Sequence, residues 1–343
     1  MIETILIIVV GIVVAVPVAL NLFGPLIVWK TQKIPADTRF NEIDDGVIMK
    51  EATPLFFQFH HSITDIGFRS LGASTVSDSL STTYFRLYWQ QDLRVAATVV
   101  MVKNKVEEIT YMEFTQRFND GSVLDVSNSP QHDPFPRFAF KSVFRFPEMV
   151  EARELLRAHL KIKQLLKKDL QAQQFDLSNG FREIEAYIRK ESDALVEKGM
   201  LRPGIDADGK RTPTLFGAFF LTWRSIFPGK NLLTWITAKR SRKILQQASD
   251  FPVPELPAES KQPQEVLRSV MQGTVSFIEA MGDDADHMMV FLEEHGDLMF
   301  FTSASVFDQL RLDEGQHVRL NVELASNQYI GQNQLWITGQ ARG

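Results

Sequence analysis

The chain of 343 residues has no cysteine. That excludes a disulfide framework, a thiolate metal site and a cysteine nucleophile, and leaves oxidising and reducing compartments equally open. There is no excess of basic charge either: the net charge is -5 and the sequence pI is near 5.9. A duplex binder needs a basic surface to displace counterions from phosphates, so no nucleic-acid partner is expected. Also missing are a Gly-rich phosphate loop and the H-E-x-x-H, G-x-S-x-G and G-x-G-x-x-G motifs. What is present is a folding composition, 44% hydrophobic and 23% charged, long enough for two modest domains.

One stretch lacks charge altogether. From Ile5 to Trp29 run 25 uncharged residues, ILIIVVGIVVAVPVALNLFGPLIVW, enough for a helix to cross a hydrocarbon core of about 30 Å at about 1.5 Å per residue. The leader Met-Ile-Glu-Thr is not a basic n-region and the apolar part exceeds that of a signal peptide, so the run predicts an uncleaved transmembrane helix over residues 1–33. Lys30, Lys33 and Arg39 follow it and only Glu3 precedes it. The positive-inside rule then predicts a single-pass membrane protein with its N-terminus out and its soluble part cytoplasmic.

Beyond the anchor, residues 34–146 read as an α+β domain. Phe56, Phe59, Ile63 and Ile66 have helical spacing with Gly67 as a stop. STTYFRLYWQ, RVAATVVMVK, EITYMEFTQRF and SVLDVS alternate as strands, with Asp120-Gly121 as a tight turn. An antiparallel meander with one helix against a face follows. From 147 to 250 the period becomes helical. Leu155, Leu156, Ile162, Leu165, Leu166 and Leu170 mark one side of a helix over 147–175, and Phe181, Ile184, Ile188 and Leu195 one side of a second over 179–199.

Between Asp208 and Asp250 there is no acid but eight bases. Among the aromatics of LFGAFFLTWRSIFPGK and its continuation these give a candidate membrane-binding set: Phe216, Phe219, Phe220, Trp223, Arg224, Phe227, Lys230, Trp235, Lys239, Arg240, Arg242 and Lys243. A second span is disfavoured, because Arg224 would sit mid-bilayer and Pro228-Gly229 breaks the helix. Two readings then compete. The aromatics form a core with the cations solvated, or they enter a headgroup region while the cations meet anionic lipid. Beside a predicted anchor the second is preferred. ALVEKGMLRPGIDADGKRTPTLFGAFF also resembles the recognition-helix-plus-wing part of winged-helix domains, over about thirty residues. That resemblance implies a helix followed by a hairpin, and such a unit also serves for packing.

Residues 251–264 carry Pro252, Pro254, Pro257 and Pro263 and read as a semi-rigid linker. Residues 265–343 hold twelve acids against four arginines, a net charge of about -8. HMMVFLEE, DLMFFTSA, HVRLNVELA and QLWITGQAR, with a strand near 273–280, predict five short strands in a small β-barrel of OB or SH3-like type. Its acidity suits a protein partner, or docking on the basic block of the same or a neighbouring chain, better than an oligonucleotide.

Four clusters offer proton or metal chemistry: His60-His61 with Asp65, His132-Asp133, Asp283-Asp284-Asp286-His287 and Glu293-Glu294-His295. None has diagnostic spacing, and His60 lies on the apolar side of its helix, where a hydrogen-bonded core histidine is the ordinary outcome. No cofactor, metal or catalytic residue is assigned. The sequence points to a scaffold, adaptor or accessory subunit that contacts an anionic membrane surface and a protein partner or a second copy. The alternative is a membrane-tethered metal-dependent hydrolase.

Overall fold

In the computed structural model the chain is an α+β protein with eight α-helices and three sheets among its described residues. Those residues are 2–77, 81–104, 107–176, 180–256, 268–281, 286–295, 298–327 and 332–341. Within them the side chains of 2–14, 49, 268, 324–327 and 332–333 are left out of the description.

In chain order come α1 (Ile2–Thr31), β1 (Ile34–Pro35), β2 (Asn41–Ile43), α2 (Asp45–Glu51), α3 (Pro54–Asp65), β3 (Arg69–Ser77), β4 (Ser81–Gln90) and β5 (Val95–Asn104). Then follow β6 (Glu108–Arg117), β7 (Val123–Ser127), β8 (Lys141–Arg145), α4 (Ala152–Leu166), α5 (Phe181–Glu197), β9 (Lys210–Arg211), α6 (Leu215–Ser225) and α7 (Gly229–Gln247). The last elements are β10 (Arg268–Met281), β11 (His287–Leu292), β12 (Met299–Ser303), α8 (Ala304–Leu310), β13 (His317–Asn327) and β14 (Gln332–Gln340). The sheets are the pair β1–β9, a seven-stranded sheet of order β2-β3-β4-β5-β6-β7-β8, and a five-stranded ring of order β10-β11-β12-β14-β13. Two compact units are formed, one from residues 1–40, 91–96 and 111–255, the other from 41–90, 97–110 and 256–343.

The first unit contains the predicted anchor, and there the expectation is corrected. Among the described residues no helix is long and apolar enough to cross a membrane. The part of α1 with described side chains, 15–31, is interrupted by Pro17, Asn21 and Pro25. At about 1.5 Å per residue it falls short of a hydrocarbon core of about 30 Å, and the rest of the Ile5–Trp29 run lies outside the described side chains. The transmembrane element, the single-pass topology and the assignment of an outside N-terminus with a cytoplasmic body are withdrawn with it. Instead α1 packs against α6: the Asn21 amide donates to the Phe227 carbonyl at 3.0 Å.

The sheet segment of this unit starts from the turn that the sequence marks. Gly121 takes φ +75, and Phe118 N donates to the Ser122 carbonyl at 2.9 Å, folding β7 antiparallel onto β6. β8 then adds in parallel to β7, with Val123 opposite Lys141 and Ser127 opposite Arg145. The four expected strands stand in consecutive order as β4 to β7, and β8 is an unexpected parallel addition, whose return connection the chain supplies through 128–140. The amphipathic helix is shorter than its periodicity, ending at Leu166, after which Lys167 reaches the Ser122 hydroxyl at 2.9 Å and Ala172 bridges to Phe118. Leu155, Leu156 and Ile162 are buried on its inner side, each contributing about 2 kcal/mol.

Under β6–β8 lies a charged cluster. Lys141 Nζ is 2.6 Å from Glu191 of α5 and 3.4 Å from Asp125 of β7, and it lies over the Tyr187 ring at 5.3 Å. Asp125 also accepts from the Thr115 hydroxyl at 2.8 Å. Glu113, on the neighbouring strand, is pushed up to about 7 by burial and by the Asp125 carboxylate, with Lys141 opposing.

In the second unit, Thr53 caps α3 by accepting from Phe56 N, and Pro54 opens its first turn. Phe56, Phe59, His60 and Ile63 are buried on one side of that helix. The His60 ring meets the Tyr88 hydroxyl of β4 at 2.8 Å, the outcome expected of a core histidine. Two strands, β2 and β3, precede the expected ones, and Gly72 at φ +136 marks a register shift between β3 and β4. Arg86 is buried on β4 and pairs with Asp45 at the start of α2.

The C-terminal strands close into a five-stranded barrel, β10-β11-β12-β14-β13, as expected, and the correction there concerns strand length. β10 and β13 are long, 14 and 11 residues, and pair with each other as well as with β11 and β14. β12 and β14 run parallel, and α8 intervenes between β12 and β13. The predicted His295-Gly296 turn lies partly outside the described residues.

Two stability experiments follow. Asp45→Asn leaves the buried Arg86 guanidinium without its carboxylate and is expected to lower the unfolding free energy by about 2 kcal/mol in urea, whereas the double change Asp45→Asn with Arg86→Met should restore most of it. Equal midpoints for wild type and Asp45→Asn would show that the pair does not stabilise the fold. For Glu113, the raised native value means that the folded protein keeps a proton that the unfolded chain releases from pH 4.5 upward. Its favourable contribution is therefore lost as pH rises through about 7. Glu113→Gln should be near neutral at pH 5 and stabilise by up to about 3 kcal/mol at pH 8, and a variant whose effect does not change with pH would refute the assignment.

Candidate basic-aromatic face

α6 is built inside out. Thr214 caps it by accepting from Gly217 N at 3.0 Å, and the buried positions are Gly217, Ala218, Leu221 and Thr222. The inner side is therefore mostly small. A Cβ at Gly217 would lie 2.0 Å from the Met200 carbonyl oxygen, so no larger side chain fits there. On the α1 side, a Cβ at Gly24 would meet the Thr222 methyl at 3.1 Å. Close backbone approach on two sides fixes the helix rotation, and that rotation sends Leu215, Phe216, Phe219 and Trp223 outward.

Pro228 and Gly229 then end one helix and begin the next. Gly229 is required because a Cβ would lie 1.9 Å from the Trp223 carbonyl oxygen. On α7 the buried residues are Gly229 and Ser241, while Leu232, Trp235 and Ile236 are exposed. Phe216 is 62%, Trp235 58% and Phe227 57% exposed, far beyond what a core assignment allows. The described part of α1 adds Leu22, Phe23, Leu26 and Ile27, all exposed. Large apolar side chains of three helices in one unit thus meet solvent, where a soluble monomer shows only small patches.

The twelve candidate residues separate into two sets. Phe220 is half-buried against the cluster of Phe138, Leu195, Met200 and Leu201. Arg224 turns inward with it: its guanidinium stacks on Phe220 at 5.1 Å and donates to the Asp133 carbonyl at 2.7 Å. Burial, and the neighbouring Arg137 after it, makes the Arg224 guanidinium easier to deprotonate than usual, with Asp133 opposing. Phe216, Phe219, Trp223, Phe227 and Trp235 stay outside with Lys230, Lys239 and Lys243. Lys239 lies over the Trp235 ring at 4.9 Å, so one cation and one aromatic already share a surface position. Arg242 is paired with Glu148 at 3.0 Å, an acid from outside the acid-free stretch. Arg240 lies over the Phe144 ring at 5.7 Å and lines a cavity with Arg224.

The helix-plus-hairpin segment is formed by α5 and the excursion 201–213, where Arg202 N donates to the Thr212 carbonyl and Asp206 N to the Lys210 carbonyl, each at 2.9 Å. β9 in that excursion pairs with β1, with Ile34 opposite Arg211.

The histidine clusters do not assemble. Among the described residues no three His, Asp or Glu side chains stand where they could hold a metal ion. His60 is engaged by Tyr88, His132 meets the Thr234 hydroxyl at 3.2 Å, and His295 meets the Gln272 carbonyl at 3.0 Å. Asp283 and Asp284 lie outside the described residues. Two cations of the α6–α7 environment, Arg137 and Arg145, carry no local sequence signal, since they reach it from the 128–140 connection and from β8.

Comparison with known proteins leaves these observations to stand alone: no family model, no curated protein and no solved structure matches the chain.

Proposed function

We propose that the chain is an accessory or scaffold protein that lies on an anionic lipid surface through the outer side of α6 and α7, and that it holds a protein partner there. The observation that supports this reading is the fixed outward rotation of α6. Phe216, Phe219 and Trp223 are held in solvent by close contacts that forbid turning them inward. Water is a poor neighbour for such a surface, and a headgroup region takes aromatics and cations together.

Charge supports lipid over an apolar protein groove. Lys230, Lys239 and Lys243 stand among the exposed aromatics without an ion pair among the described residues, as an anionic surface requires. Among the described residues no helix is long and apolar enough to cross a membrane, and the proposed contact is with the surface. The acidic 265–343 region, net about -8, favours a basic protein partner.

The test is cosedimentation of the full chain with vesicles of phosphatidylcholine alone or mixed with phosphatidylglycerol, at low and high salt. Binding is expected only to the anionic vesicles and should weaken as salt rises. Lys230→Gln, Lys239→Gln and Lys243→Gln together remove about 3 kcal/mol, roughly a hundredfold in partition. Arg240 and Arg242 are left intact because the cavity and Glu148 already occupy them. No binding, or binding indifferent to lipid charge and to the three lysines, would overturn the proposal.

A further inference from the structure

Within the first unit a cavity of about 240 Å³ opens between the connection that precedes β8, β8 itself, α6 and α7. Four guanidinium groups line it, from four separate places in the sequence: Arg137, Arg145, Arg224 and Arg240. Its other charged residues are Lys141 and Asp133. Lys141 is already committed to Glu191 and Asp125, so it neutralises acids below the cavity and adds little to its charge. Asp133 spends one carboxylate oxygen on Phe135 N at 2.9 Å, and its contact with Arg224 is through the backbone carbonyl. Among the described residues Arg137, Arg145 and Arg240 make no ion pair, and the Arg224 Nε is buried with no hydrogen-bond partner.

Four like charges brought together at one small cavity repel one another, and partial burial raises the cost. The consequence is visible at two of them: burial and then Arg137 lower the proton affinity of Arg240, and at Arg224 burial lowers it, with Asp133 opposing and Arg137 adding to the burial effect. A fold gains nothing by assembling such a group around one carboxylate unless an anion completes it. A guanidinium offers a planar fork of donors that matches the oxygens of phosphate, and several forks around one centre suit a dianion better than a carboxylate. The hydroxyl-bearing Ser142 and Thr237 line the same space and offer neutral donors.

We propose that this cavity binds a phosphate monoester, with Arg137, Arg145, Arg224 and Arg240 contacting its terminal phosphate. The proposal rests on the cavity and not on the lipid-facing surface. The ligand is a phosphate dianion carried on a small soluble molecule or on the headgroup of a lipid.

The experiment titrates the purified full chain with inorganic phosphate at constant ionic strength, following heat of binding and thermal midpoint. Saturable binding is expected, about tenfold or more weaker in Arg137→Gln with Arg240→Gln. Both side chains are exposed and the change relieves like-charge repulsion, so the phosphate-free midpoint of that variant should be unchanged or higher. Asp133→Asn keeps an oxygen for Phe135 N while removing the cavity's free negative charge, and should tighten binding, which a folding defect cannot imitate. The source is decided by vesicles of phosphatidylcholine with phosphatidic acid, a monoester, against phosphatidylglycerol, a diester, at matched surface charge. A preference for phosphatidic acid that the double arginine variant loses supports the proposal with a lipid source. Saturable phosphate binding without that preference supports it with a soluble one. No saturable response to phosphate together with equal partition to the two vesicles overturns it, as does unchanged binding in the double arginine variant. Loss of vesicle binding in the three-lysine variant, with phosphate binding intact, separates the two proposals.

Discussion

Lys141 is the fixed point of the unit that carries both proposed sites. Its ammonium is held by Glu191 at 2.6 Å and Asp125 at 3.4 Å, which ties α5 to β7 and β8 through one buried charge. Removing Lys141 would leave two carboxylates, Asp125 and Glu191, without a counter-charge in a low-dielectric place, which is why such a cluster tolerates little displacement. β8 lies parallel on β7 beside this cluster, and Arg145 N donates to the Ser241 hydroxyl of α7 at 2.9 Å. Because Lys141 is spent there, Asp133 is the acid left facing the guanidiniums that line the cavity above it.

The second constraint is steric. Gly217 has no room for a side chain against Met200, Gly24 of α1 lies close against the Thr222 methyl, and Gly229 has no room for a side chain beneath Trp223. An ordinary amphipathic helix buries its large apolar residues and exposes its small ones. On α6 Phe216, Phe219 and Trp223 face out while Gly217 and Ala218 face in, with Leu221 the large apolar residue that stays buried. The outer aromatics and the lysines form one surface, while Phe220 and Arg224 turn towards the core and the cavity. A single pair of helices thus presents two chemistries, one suited to a broad apolar and anionic surface and the other to a single compact anion.

Much of this order can be read from the residues. The strands from Ser81 to Ser127 follow their alternation, Asp120-Gly121 makes the turn, and His60 sits in a core. β3 and β8 escape because RSLGASTVS and KSVFR lack clean alternation, and their pairing is decided by neighbours far along the chain. The transmembrane reading of Ile5–Trp29 followed the length of the uncharged run and its flanking charges, and could not foresee that α1 packs on α6. The aromatic and basic stretch was legible as composition. Its division into outward and inward sets was not, since the glycine contacts that fix the rotation come from Met200 and from α1. The arginine cavity is the clearest case of tertiary information: four cations separated by up to about a hundred residues meet only after β8 is seated, a long-range convergence that local pattern does not encode.

The most direct test of the lipid-facing surface is the depth of its two tryptophans. With Trp29, Trp89 and Trp336 changed to Phe, fluorescence reports Trp223 and Trp235 alone. On anionic vesicles carrying brominated acyl chains, both should shift to the blue and be quenched most by bromines near the headgroups, as expected for rings buried about 5–10 Å into the interface. Emission that stays red and unquenched on vesicles that the protein has demonstrably bound would contradict the assignment, and would show that another surface makes the contact.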